Sequence, residues 1–152
     1  IIKTGNWLGP LLVSAAENRV KNLLLFGYHG KLVKLAGGVF HTHHHLADGR
    51  IEILTSLAVR EGISFDLIQL ISKSTSVENA LLTLEPSNPA DVALIWGRMA
   101  KEIESKSLSY VNRYMSSSME IGSVLFDRKR QIRWAGFQGL KQINSLGLNL
   151  KP

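Results

Sequence analysis

The chain contains no cysteine, which excludes disulfides and thiolate metal sites and suits a reducing compartment. Long apolar runs are missing as well. The longest, Leu23 to Phe26 with its neighbours, is far too short to cross a bilayer, and no basic, apolar, small-residue leader stands at the start. No membrane partner is expected, and the cytoplasm is the default location. There is no nucleophile elbow, no HExxH pattern and no internal repeat, so standard hydrolytic chemistry is not announced. An initiating methionine is absent too. The opening Ile1-Ile2 reads as the middle of a strand, and a fragment of a longer protein is expected.

The 152 residues are 45% hydrophobic and 20% charged, an ordinary globular composition. A chain of this size buries roughly 70% of its unfolded-state surface, enough for one domain with a real core. Eighteen Lys and Arg against twelve Asp and Glu leave a net charge of +6. Such a field attracts nucleic acid, phosphorylated ligands or polycarboxylates without choosing among them.

From Trp7 the apolar positions Trp7, Leu8, Leu11, Leu12, Ala15 and Ala16 recur with helical spacing. Thr4 or Asn6 is placed to cap that helix, and Pro10 belongs to its first turn. Asn22 to Phe26 reads as a strand buried on both faces of a parallel sheet. With Ile1–Lys3 as a preceding strand, these form a βαβ unit. After Gly27-Tyr28-His29-Gly30-Lys31 comes a short apolar segment to Ala36, a Gly37-Gly38 break, then Val39-Phe40 leading into His41-Thr42-His43-His44-His45.

Ala47, Ile51, Leu54 and Ala58 make a helical stripe that stops near Gly62, and a helix around Phe65 to Ile71 follows. Thr75 and Glu78 have capping-box spacing. Asn88-Pro89-Ala90-Asp91 starts a long helix toward Tyr114, with Val92, Trp96, Met99 and Ile103 on one face. Ile121 to Phe126 and Gln131 to Trp134 form a hairpin around Asp127-Arg128-Lys129-Arg130. Phe137, Leu140, Ile143 and Leu146 close the chain as a short helix. The fold class expected is α/β: a βαβ unit with a mostly parallel sheet, a helix-rich middle, and a C-terminal β-hairpin and short helix. A single domain over 1–152 is expected, with an internal joint near 85–89.

A glycine-bearing turn between strand and helix exposes amides at the positive end of the helix dipole, where a carboxylate binds well. Gly27 to Lys31 has that composition. It is not a Walker A loop, because the glycine spacing differs and Leu32 stands where a hydroxyl residue is needed. Lys31 and Lys34 add charge on one helical face. If Val39-Phe40 continues as a strand, His41 and His43 point the same way and can handle a proton or hold a metal. Asp48 and Glu52 share a helical face at i and i+4. Arg128 to Arg130 with Arg133 and Trp134 are the residues a nucleic-acid-binding module would use.

Thr4-Gly5-Asn6-x-x-Gly9, Leu24-Leu25-Phe26-Gly27-x-x-Gly30-Lys31-Leu32-x-Lys34-Leu35-Ala36-Gly37-Gly38, His41-Thr42-His43 and Ala47-Asp48-x-Arg50 together resemble the signature of the CbiD family. These are the cobalt-precorrin-5B C-1 methyltransferases of anaerobic cobalamin biosynthesis. The resemblance spans Ile1 to Leu54, and it identifies the chain as the C-terminal portion of a longer protein whose N-terminal portion is a partner in the same molecule. Family members carry a histidine directly after the first glycine of the turn, where Tyr28 stands here, and a small hydroxyl residue where His44 stands.

The resemblance implies methyl transfer from S-adenosylmethionine to carbon 1 of a cobalt-corrinoid polycarboxylate. It implies His41 and His43 as proton-handling residues. Gly27, His29, Gly30 and Lys31 are then expected at the cofactor, and Asn6, Lys34, Thr42, Asp48 and Arg50 at the substrate. Cobalt would arrive within the substrate, so no protein-bound metal is expected; a homo-oligomer is open. The other readings are a metal-dependent hydrolase using His41, His43 and Asp48, or a basic nucleic-acid-binding module, though nucleic acid is not expected as a partner.

Overall fold

A computed structural model describes residues 1–43, 48–148 and 150. Among them seven helices and three strands follow in the order α1 (Leu8–Glu17), β1 (Asn22–Tyr28), α2 (His29–Ala36), α3 (Arg50–Arg60), α4 (Phe65–Ser72), α5 (Val77–Leu84), α6 (Pro89–Asn112), β2 (Glu120–Phe126), β3 (Ile132–Ala135) and α7 (Phe137–Ser145). The sheet runs β1-β2-β3. β1 and β2 are parallel, paired from Asn22 with Glu120 to Tyr28 with Phe126, and β2 and β3 form the antiparallel hairpin. The fold is therefore mixed α/β, with α2 through α6 making the crossover between the parallel strands.

The first strand expected from sequence does not form. Ile1 to Gly5 carry no secondary structure and are exposed, and Trp7 makes only an isolated bridge to His41. The parallel partner of β1 is β2, so only one of the two strand pairings is parallel. Val39-Phe40 is likewise not a strand.

α6 supplies the centre of the core. Val92, Ile95, Trp96, Met99 and Ile103 are all buried, at the period that the sequence marks. Each fully buried apolar side chain of that size contributes about 1.5–3 kcal/mol. The Ser123 hydroxyl of β2 donates to the Ala100 carbonyl of α6 at 2.8 Å, so Leu25, Ser123 and Leu125 face this helix. The turn between α5 and α6 is tight, with Asn88 N–H donating to the Leu84 carbonyl at 2.8 Å. One hydrophobic cluster takes residues from both sides of it.

On the other face of the sheet α7 lies over β2. Gly139 comes so close to the Ser123 carbonyl that an added Cβ would overlap it. The buried positions of α7 are accordingly Gly139 and Ile143, while Phe137, Leu140 and Leu146 are exposed: the helix read from the sequence forms, with its glycine face turned to the sheet. α7 lies mainly over β2 and only touches β1; Phe26 is 55% exposed, so β1 is not covered on both faces. The Glu104 carboxylate of α6 accepts from Ser123 N–H at 3.0 Å, Gln138 N–H at 3.1 Å and Gly139 N–H at 2.8 Å. One buried carboxylate thereby continues the β2 ladder past the end of β3 and caps α7.

Three helix starts differ from the sequence reading. Trp7 is the N-cap residue of α1 and neither Thr4 nor Asn6 caps it, because the Asn6 side chain is held by Thr42. Ser76, not Thr75, caps α5 through Asn79 N–H at 3.0 Å, which releases Glu78 for another role. α3 begins at Arg50 after Gly49 with φ +60, so Asp48 lies outside the helix and shares no helical face with Glu52. Gly62, at φ +68, ends α3 as expected. Ala47, expected on its stripe, lies outside the described residues, as do His44 and His45.

Candidate functional site

β1 runs straight into α2. Gly27 and Tyr28 end the strand and His29 opens the helix, so the expected loop has no length at all. At Gly27 a Cβ would stand 2.8 Å from Leu32 Cδ1, so the absent side chain leaves Leu32 room to pack against the end of the strand. At Gly30 a Cβ would stand 2.6 Å from Tyr28 Cε1, so the missing side chain lets the Tyr28 ring fold back over the first turn of the helix.

Beside that turn the segments around Asn6 and Thr42 lie side by side as a strap. Thr42 N–H donates to the Asn6 carbonyl at 3.2 Å, and the Thr42 hydroxyl donates to Asn6 Oδ1 at 3.1 Å. Lys31 Nζ reaches the Gly5 carbonyl at 3.5 Å. From α3, Arg50 Nη1 reaches the Gly30 carbonyl at 3.5 Å, and Arg50 Nη2 donates to Asp48 Oδ2 at 2.9 Å. The hydrogen bond from Arg50 is the main cause holding the Asp48 carboxyl below the usual range; burial opposes it, and the charges of Arg50 and Lys34 add to the lowering.

Strap, helix start and Arg50 enclose a hollow of about 340 Å³ lined by Asn6, Tyr28, Gly30, Lys31, Lys34, Thr42 and Arg50. Six of these were singled out in sequence, from segments far apart along the chain. Lys34 is 2% exposed, so its charge is carried inside the wall. The three cations Lys31, Lys34 and Arg50 make this hollow attractive to a carboxylate.

Gly27, His29, His41, His43 and Asp48 are not in the lining. His41 is exposed and stands edge-on to Trp7, with ring centroids 4.7 Å apart; His43 is half-buried. His29 is fully buried behind the hollow. Trp96 Nε1 donates to His29 Nδ1 at 2.9 Å, and because an indole nitrogen can only donate, the ring proton sits on Nε2. That proton is donated to Glu78 Oε2 at 2.7 Å. The Tyr28 hydroxyl donates to the same oxygen at 3.2 Å. Burial pushes His29 down from its ordinary pKa, with Glu78 opposing. Tyr28 is pushed up to about 12, first by burial and then by the Glu78 charge.

Both nitrogens of the fully buried His29 side chain are engaged within the protein, and its neighbours in this network, Tyr28, Glu78 and Trp96, were not singled out as site residues in the sequence. Glu78 was absorbed by a capping pattern and Trp96 by a core stripe. Only Tyr28 carried a signal, as a departure at a motif position.

Among the described residues no three His, Asp or Glu side chains gather closely enough to hold a metal ion. The basic hairpin is also differently engaged from what a nucleic-acid platform needs. Arg133 pairs with Glu85 and Asp127 and lies 4.5 Å over the Trp134 ring, which is itself buried. No helix among the described residues is long and apolar enough to cross a membrane.

The family model described as CbiD, C-terminal domain, matches residues 41–136. A cobalt-precorrin-5B C(1)-methyltransferase of Prochlorococcus marinus strain NATL1A is 87% identical over 151 residues, covering 99% of this chain and 40% of the relative. The protein of the same name from strain MIT 9215 is 58% identical over 95% of this chain and 39% of its own length, and that from strain MIT 9303 is 55% identical over 97% of this chain and 38% of its own length. The chain thus spans about 40% of the length of the curated relatives it matches. No solved structure matches it.

Proposed function

Since the chain belongs to the CbiD family, with the C-terminal-domain match at residues 41–136, we propose that it forms part of an enzyme that transfers a methyl group from S-adenosylmethionine to carbon 1 of cobalt-precorrin-5B in cobalamin biosynthesis. The remaining portion found in its longer relatives is the partner it works with. The observation that carries this reading is the convergence of Lys31, Lys34 and Arg50, from two helices, on one hollow that opens at the first turn of α2.

Both ligands of such a reaction present carboxylates, which this donor set fits: a guanidinium, ammonium groups and backbone amides are the groups that bind them. A hollow of about 340 Å³ takes a carboxylate-bearing arm, not a whole tetrapyrrole, so the rest of the substrate lies outside it. S-adenosylmethionine, when bound, supplies the electrophilic methyl group. This chain's residues hold and orient: Lys31 and Arg50 clamp the carboxylate, Lys34 adds charge from within the wall, and the Asn6–Thr42 strap fixes the edge against which the arm rests. Orientation of the reacting partners supplies as much as about 7–11 kcal/mol of a bimolecular barrier.

Labelled-methyl transfer to cobalt-precorrin-5B by a longer protein carrying this chain tests the reading, with calorimetry of both ligands alongside. Lys31→Ala and Arg50→Ala are each expected to weaken carboxylate binding roughly 10- to 100-fold, the worth of a hydrogen bond to a charged group. Unchanged affinity for both ligands in the double variant refutes the assignment of the hollow.

A further inference from the structure

Among the lining residues of the hollow, Tyr28 carries a hydroxyl that is hydrogen-bonded inward to a carboxylate. Tyr28 lines the hollow, and the hydroxyl end of its ring lies beside Gly30, another lining residue, whose added Cβ would be 3.2 Å from the Tyr28 oxygen. Behind it Glu78 Oε2 receives two hydrogen bonds, from the Tyr28 hydroxyl and from His29 Nε2. His29 is in turn fixed by the Trp96 indole. The four residues come from β1, α5, α2 and α6, so the chain Trp96–His29–Glu78–Tyr28 is assembled by the tertiary structure. The His29 side chain has no exposure, while that of Glu78 retains 13%.

We propose that Tyr28 is the proton-transfer residue of the hollow, relaying to Glu78 the proton that carbon methylation releases, with His29 and Trp96 as positioning residues behind it. The proposal rests on the methyl-transfer reading. As the new carbon–carbon bond forms, the carbon–sulfur bond of the donor breaks and its electron pair stays on sulfur. The methyl group arrives as a cation equivalent, so the positive charge of the sulfonium passes to the substrate and is discharged when the substrate gives up a proton. Tyr28 accepts that proton on its oxygen while its own hydroxyl proton passes to Glu78 Oε2. Glu78 then returns the proton to water through its exposed edge. The Nε2–H tautomer imposed by Trp96 keeps His29 a donor, so the imidazole holds the carboxylate and does not compete for the proton.

Other charges meet this chain from neighbouring elements. Arg50 and Arg128 act on Tyr28, and Asp127 and Arg133 act on His29. Their effects are present in every variant below and drop out of the comparison.

The test uses a longer protein carrying this chain, assayed for methyl transfer across pH, with Tyr28→Phe, Glu78→Gln, Trp96→Phe and the Tyr28→Phe/Glu78→Gln double variant. Tyr28→Phe and Glu78→Gln are each expected to lower kcat about 100-fold or more with little change in KM. The double variant should be no slower than the worse single, because the two act in series. Trp96→Phe should displace the pH profile of kcat with a smaller loss of rate.

A second readout does not depend on turnover. With 13C-labelled tyrosine, coproporphyrin, a tetrapyrrole with four carboxylates, should shift the Tyr28 ring resonance, identified by its loss in Tyr28→Phe, and leave Tyr114 unmoved. Full kcat in either Tyr28→Phe or Glu78→Gln, losses that multiply in the double variant, or an unmoved Tyr28 resonance at saturating probe overturns the relay while the methyl-transfer reading stands. An inactive wild-type protein overturns both.

Discussion

The indole N–H of Trp96 donates to Nδ1 of His29 at 2.9 Å, a bond between two side chains that are both fully buried. It decides which nitrogen of the imidazole carries the proton and leaves Nε2–H for Glu78. Burial is the larger influence on the ring and holds it neutral below its ordinary pKa.

The pH dependence of stability follows from that depression. The unfolded chain takes up a proton at His29 near the ordinary histidine value, about 6.5, while the folded chain resists it. The contribution is complete above that value and is lost as pH falls through the lowered folded pKa. Chemical unfolding between pH 8 and 5 should show stability falling on acidification by at most about 1.4 kcal/mol per pH unit from this group. His29→Gln should abolish that part of the slope. An unaltered slope in the variant would contradict the assignment.

Gly30→Ala should act on the hollow through Tyr28. Its Cβ meets the tyrosine ring at 2.6 Å, and the ring must swing away from Glu78 to make room. Overpacking of this kind costs about 1–3 kcal/mol. The tyrosine titration should also change, with Tyr28 leaving its raised position of about 12 for a value nearer that of a free phenol. Absorbance titration against Tyr28→Phe checks this, and an undisturbed high-pH titration would be the adverse result.

Glu104→Ala should be among the most damaging single changes. It strands the N–H groups of Ser123, Gln138 and Gly139, two of which belong to the first turn of α7. Stranded buried donors cost about 1–3 kcal/mol each where water cannot replace the acceptor. A loss of about 3 kcal/mol is expected in denaturant melts, with hydrogen exchange quickening first in α7. Glu104→Gln keeps one acceptor oxygen and should lose less.

His41→Ala is expected to leave methyl transfer close to the wild-type rate, because His41 is exposed against Trp7 and outside the lining of the hollow. A loss of kcat comparable to that of Tyr28→Phe would return the proton role to the imidazole that the sequence suggested.

Much of the secondary structure was legible along the chain. The period of Val92, Trp96, Met99 and Ile103, the αL stop at Gly62 and the charged turn at Asp127 to Arg130 are local patterns, and local patterns report local conformation. Six lining residues of the hollow were also visible, because the motif carried Asn6, Gly30, Lys31, Lys34, Thr42 and Arg50 as residue types. The misreadings had non-local causes. Ile1–Lys3 looked like a strand, yet no strand lies beside it among the described residues. The closing helix forms as read, but which of its residues are buried follows from Gly139 meeting the β2 backbone, a contact that no periodicity encodes. The Thr75 and Glu78 spacing matched a cap, but Ser76 one residue later took that role.

Composition and periodicity by themselves determined a basic, cysteine-free α/β chain with its helices and hairpin near their observed places, since those properties depend on residues within a turn or two of one another. Only the tertiary structure decided that Glu78, Trp96, His29 and Tyr28 form one hydrogen-bonded line into the hollow. A hydrogen bond requires two atoms within about 3 Å, and it is the packing of α5 and α6 against the β1–α2 junction that brings these four together.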